Sequence, residues 1–121
     1  MKILVSAQGN DIDSLVDPRF GRCRYLILVE TTDGEWHAYD NRATAEASGG
    51  AGVEASNRAV SLGAEALVTG NVGPNAARVL GAAHISVHRA DNGVTVREAV
   101  AGLEAGRMER IDGPTVQGHW A

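Results

Sequence analysis

At 121 residues the chain has the length of one domain and can bury about two-thirds of its unfolded surface, enough for a core without staples. Its net charge of −4 argues against a general nucleic-acid binder. Its single cysteine, Cys23, excludes an intrachain disulfide and any four-thiolate iron–sulfur site built from this chain alone. No apolar run approaches the ~18 residues that cross a membrane, and the run after Met1-Lys2 is too short for a signal segment. A soluble, cytoplasmic protein without membrane or nucleic-acid partners is therefore expected.

Ile3-Leu4-Val5 reads as a buried central strand, and Ser6 to Asp11 as the polar loop that leaves its C-terminal end. Asp17-Pro18 marks a turn, after which Arg19, Arg22 and Arg24 crowd into six residues of an acidic protein. Tyr25 to Glu30 is a second strand, Asp33-Gly34 a hairpin turn, and Trp36 to Tyr39 a more polar return strand at a sheet edge. Asn41 to Ser48 is a loop. Gly49-Gly50-Ala51-Gly52 then opens a helix over Val53 to Leu62, with a shallow buried stripe of Val53, Ser56 and Ala59 or Val60, ended by Gly63.

The most informative stretch is Glu65 to Leu80: a short buried strand through Thr69, a glycine-punctuated turn at Gly70-Asn71-Val72-Gly73, and a helix from Pro74. Gly70 and Gly73 permit backbone angles that a side chain forbids, and Pro74 suits the first helical position. Such a turn aims unpaired amides, at the positive end of a helix, past the strand's end. His84 to His88 alternates as a further strand with both histidines on one face. Thr95 to Glu98 is a capping box, which starts a helix with Val96, Ala99, Val100 and Leu103 on one stripe and Gly106 at its end. Residues 107–121 read as a flexible C-terminal tail.

The expected fold class is therefore α/β, in the order β-β-β-α-β-α-β-α: a mixed five-stranded sheet with helices on both faces, ribonuclease H-like, in a single domain spanning 1–121. Ligands of open α/β sheets sit outside the carboxyl ends of the parallel strands. That rule gathers Gln8, Gly50, Gly52, Thr69, Gly70, Asn71, Gly73 and Asn75 at one end of the molecule.

Ribonuclease H-like architecture raises the question of nuclease chemistry, but the strand ends carry Ser6 and Thr69 rather than clustered carboxylates. The glycine turn lacks the Gly-Lys-Ser/Thr of a P-loop, and no Gly-x-Gly-x-x-Gly follows a strand. Cys23 or Ser6 as the nucleophile of a small hydrolase, and a scaffold domain holding a protein partner, stay open as alternatives. Cys23 and His119, in its glycine-flanked tail, are the candidate metal ligands.

Taken in order, these motifs resemble the dinitrogenase iron–molybdenum cofactor biosynthesis family. Met1 to Val5 with Asp13-Ser14 resembles its opening strand and loop. Pro18-Arg19-Phe20-Gly21-Arg22 resembles its Pro-His-Phe-Gly-Arg segment, with Arg19 where many members have His. Gly50-Ala51-Gly52, Gly70 to Ala76, Gly93 to Val96 with Glu98-Ala99, and Gly113-Pro114 to Gly118-His119 complete the pattern. The resemblance implies a ribonuclease H-like fold without catalysis. It also implies binding of a preassembled metal–sulfur cluster, of the iron–molybdenum type or the molybdenum–copper sulfide of the "orange protein" branch. Partners among cluster-assembly, cell-division or redox proteins are implied with it. Such clusters are polyanions, so two helix N-termini together with Arg19, Arg22 or Arg24 are expected to hold one by charge and hydrogen bonds, with Phe20 among the residues of the binding site.

Overall fold

The computed structural model describes residues 1–117 and Ala121. Strand β1 (Lys2–Ala7) is the middle of the molecule, because an unbroken apolar run can be buried on both of its faces. On one side it pairs antiparallel with β2 (Tyr25–Glu30), which pairs antiparallel with β3 (Trp36–Asp40) around the Gly34 turn at φ +76°. On the other side β1 runs parallel to β4 (Ala66–Thr69), which runs parallel to β5 (Ser86–Arg89).

The sheet has six strands, not five. Glu109–Ile111 forms β6, antiparallel to β5, and the strand order is β3-β2-β1-β4-β5-β6. This strand falls within the segment expected to be a flexible tail. It carries no apolar alternation because two of its three side chains face solvent at the sheet edge. Further along, the Thr115 amide donates to the Val72 carbonyl and the Thr115 hydroxyl accepts from the Val72 amide.

Helices cover both faces. A one-turn helix α1 (Arg42–Ala45) lies in the expected loop. Helices α2 (Ala51–Ser61) and α3 (Pro74–Ala82) pack on one face over Leu4, Leu26, Leu67 and Val87. Helix α4 (Val96–Glu104) packs on the other over Val5, Ile27 and Val68. The alternation of Ile3 and Val5 against Leu4 along β1 supplies both layers.

Two local expectations change. Helix α2 buries Ser56 and Ala59 of the expected stripe together with Ala51 and Ala55, while Val53 is only half-buried and Val60 is exposed, so its packing face is smaller still. His84 is not in a strand: it sits at φ +58°, in the left-handed turn that leaves α3, and so does not share a face with His88 on β5.

Candidate functional site

Two of the three long helices start without a cap. The Thr95 hydroxyl accepts from the Glu98 amide, Glu98 returns the bond, and the Val96 and Arg97 amides donate to the carbonyls of Ser14 and Ile12. The positive end of α4 is thereby closed. Helices α2 and α3 begin at Gly50 and Gly73, which offer no side chain, and no side-chain cap bond is made at either. The first intrahelical donors are Glu54 to Gly50 and Ala77 to Gly73. Among the described residues this leaves the amides of Ala51, Gly52, Val53, Asn75 and Ala76 without a backbone partner.

These two open ends face one cleft of about 210 Å³. It is walled by Gly49 to Val53, by Gly73, Asn75 and Ala76, and by Phe20, Gly21 and Arg22, with Ser48 and Ala121 at the rim. The helices come together there because the contact is nearly free of side chains. A Cβ on Gly52 would lie 3.2 Å from the Ala76 Cβ, and one on Gly21 would lie 2.6 Å from the Gly52 nitrogen. Phe20, fully buried, anchors the segment that carries Gly21 and Arg22. The Arg22 guanidinium donates through Nη1 to the Ala45 and Ala47 carbonyls at 3.0 and 3.2 Å. Its Nε is buried without a partner among the described residues. The Arg22 amide donates to the Ala121 carbonyl at 3.0 Å.

The cleft unites Phe20, Arg22, Gly50, Gly52, Gly73 and Asn75 of the residues expected to bind a cofactor. It leaves out Gln8, Arg19, Thr69, Gly70 and Asn71. Gln8 is exposed at the end of β1 and bonds back to the Leu15 carbonyl. Thr69 is buried, its hydroxyl 2.7 Å from that of Ser6. Neither Gly70 nor Gly73 has a positive φ. Gly70 is small because a Cβ would meet the Pro18 backbone at 2.6 Å. Asn71 clips three segments together: its Nδ2 donates to the Pro18 carbonyl and its Oδ1 accepts from Arg89. The Val72 amide is taken by Thr115. From Gly70 to Val72 the turn after β4 is thus closed by the chain's own groups, while Gly73, Asn75 and Ala76 line the cleft. Arg19 lies outside the cleft, half-exposed, with its Nε 3.9 Å from the Asp17 carboxylate.

Of the two candidate metal ligands, Cys23 is in the core beneath α2 and α3 and fully buried. Burial pushes its thiol up to about 12, and Asn41 Nδ2 lies 3.6 Å from the sulfur, so no thiolate is presented near neutral pH. The expectation of a metal ligand, and that of a Cys23 nucleophile, is corrected accordingly. Ser6 is buried between the Asp17 carbonyl and Thr69 with no base in its hydrogen bonds, which removes it as a nucleophile. His119 lies outside the described residues. Among the described residues no group of three His, Cys, Asp or Glu is placed to hold a metal ion. The donors that do converge are suited to an anion bound whole.

The match to known proteins follows the same lines. Residues 1–106 match the family model for the dinitrogenase iron-molybdenum cofactor. This chain belongs to that family. Its backbone superimposes on the apo form of the orange protein from Desulfovibrio gigas with a TM-score of 0.91 at 39% identity, covering 95% of this chain and 96% of that one. It superimposes on a NifB-like DUF35 protein from Thermotoga with a TM-score of 0.83 at 35% identity, covering 97% and 98%. It is also 26% identical over 114 residues to an uncharacterized protein of Methanocaldococcus jannaschii, covering 93% of this chain and 92% of that one. Among the described residues no helix is long and apolar enough to cross a membrane.

Proposed function

We propose that this protein binds a preassembled metal–sulfur cluster and carries it, without turnover, in the cleft between the starts of α2 and α3. The observation that carries the reading is the contrast between the sealed N-terminus of α4 and the open ones of α2 and α3, which meet beside Arg22. Each open end presents about half a positive charge. The Arg22 guanidinium in the cleft wall adds a full positive charge beside them. A polyanion whose sulfides accept hydrogen bonds satisfies all of these groups at once.

The cleft is smaller than the 300–1,000 Å³ typical of sites for organic ligands, so a compact inorganic guest suits it better than a dinucleotide. That size favours the molybdenum–copper sulfide type over the bulkier iron–molybdenum cofactor. With no metal-ligand set among the described residues, the reading is capture by charge and hydrogen bonding to the sulfides, with Arg22 and the amides of Ala51, Gly52, Val53, Asn75 and Ala76 as the groups that hold it. Three antiparallel strands continued by two parallel ones support the ribonuclease H-like reading of the fold, with β6 appended at the edge. The cytoplasm is the compartment proposed for this activity.

Anaerobic reconstitution with tetrathiomolybdate and copper, followed by gel filtration, tests the proposal. Colour, molybdenum and copper are expected to co-elute with the protein and to be lost from Arg22→Met. Metal that elutes apart from the wild-type protein would remove it.

A further inference from the structure

Beside the cleft runs a second depression, of about 300 Å³, lined by Arg19, Arg22, Arg24, Arg42, Ala45 and Glu46. The chain has 11 lysines and arginines against 15 acidic residues, so four guanidiniums in one groove oppose the charge of the whole. Their compensation is uneven. Arg42 is forked onto Asp40, with Nη2 2.6 Å from Oδ2 and Nε 3.1 Å from both oxygens, and lies 5.7 Å over the Tyr25 ring. That ion pair holds the Asp40 carboxyl at about 2, so Arg42 stays neutralised at any physiological pH. Arg19 only approaches Asp17, at 3.9 Å. Arg24 lies outside the cleft, exposed, and its side chain has neither ion pair nor hydrogen bond among the described residues. Glu46 is the one carboxylate among the lining residues.

We infer that this arginine groove docks an acidic segment of a partner protein, a short peptide with spaced carboxylates. Guanidiniums fork onto carboxylates two bonds at a time, and the groove offers Arg19 and Arg24 for that geometry with Arg22 as its inner wall. A nucleic acid fits less well. Its uniform phosphate charge would meet Glu46 and a chain whose net charge is −4, and no aromatic residue is among the described residues that line the groove, while Arg42 covers the nearby Tyr25 ring. Arg22 lines both depressions, so a segment docked here ends at the mouth of the cleft. That such a partner delivers or receives the cluster rests on the function proposed above; the docking itself does not.

The test is fluorescence anisotropy of the full-length protein with a fluorescein-labelled octaglutamate peptide at low salt, against Arg24→Glu. This substitution is on the surface and outside the cleft, and circular dichroism checks its fold. Saturable binding that weakens about tenfold or more in Arg24→Glu is the expected result, as attraction at the rim turns to repulsion. No binding, or binding that ignores Arg24→Glu, overturns the inference. So does an octathymidylate that binds as tightly as the peptide. The cluster is read separately: Arg24→Glu is expected to retain tetrathiomolybdate and copper on gel filtration as the wild type does. Loss of metal from both proteins, with peptide binding intact, would remove the cluster reading and leave the docking surface standing.

Discussion

Gly21→Ala is expected to damage stability and cluster binding together. The added Cβ would sit 2.6 Å from the Gly52 nitrogen, 2.7 Å from the Ala51 carbonyl carbon and 2.8 Å from the Gly52 Cα. All three are backbone atoms, so no side chain can swing away. Ordinary contact begins near 3.4 Å, and the first turn of α2 has to retreat by roughly 0.8 Å. Overpacking of this kind costs about 1–3 kcal/mol. For a chain of this length that lowers Tm by roughly 3–15 °C. The same retreat stretches any amide-to-sulfide bond made by Gly52 or Val53 beyond hydrogen-bonding reach. Each such bond to a charged acceptor contributes about 1.5–3 kcal/mol, so affinity should fall roughly 10- to 100-fold even below Tm. Thermal unfolding followed by circular dichroism, and tetrathiomolybdate titration at 15 °C, check the two halves. A Gly21→Ala protein with the wild-type Tm and wild-type affinity would refute the close approach on which the cleft depends.

Three further outcomes follow from the same structure. Gly81→Ala, on the exposed side of α3 with nothing within 4 Å of the new methyl, should stabilise by up to about 1 kcal/mol, which chemical denaturation would detect. Cys23 should resist a disulfide reagent at pH 8 in the native protein and react at once in denaturant, because burial holds its thiol near 12. His88 has its pKa lowered by desolvation first and by Arg110 second. Its folded value lies below its unfolded one, so stability is full above the unfolded pKa near 6.5 and falls as pH drops towards the folded value. Denaturation midpoints should decline from pH 7.5 to 5.5, and His88→Gln should flatten that decline.

Much of the fold is written locally. The apolar run at Ile3 to Val5, the Asp33-Gly34 turn, Pro74 at the start of α3 and the Thr95 capping box each act within a few residues, and each element stands where its local chemistry puts it. Strand β6 escapes such reading because three edge residues with two solvated charges carry no period. His84 escapes it because its left-handed turn is set by how α3 ends, while its neighbours alternate as a strand would.

The site divides in the same way. The glycines at the start of α2 and the segment Phe20 to Arg22 are readable as motifs, and they do line the cleft. Gly70 and Asn71 carry an equally strong local signal. They are closed by Pro18 and Arg89, residues 53 and 18 positions away for Asn71, and no short-range pattern reports a partner at that distance. Gly21 and Ala76 lie inside motifs that the sequence shows, but only the packing shows why they are small: each abuts the start of α2 at Gly52.

The central claim is that an anion binds whole at two open helix ends. Amide nitrogen–proton correlation spectra recorded during tetrathiomolybdate addition test it residue by residue. The account predicts that Ala51, Gly52, Val53, Asn75 and Ala76 shift first and saturate together, while Cys23 and the amides of the closed α4 start stay still. Shifts centred on Cys23 or on Val96 to Glu98, with the five cleft amides unmoved, would contradict it.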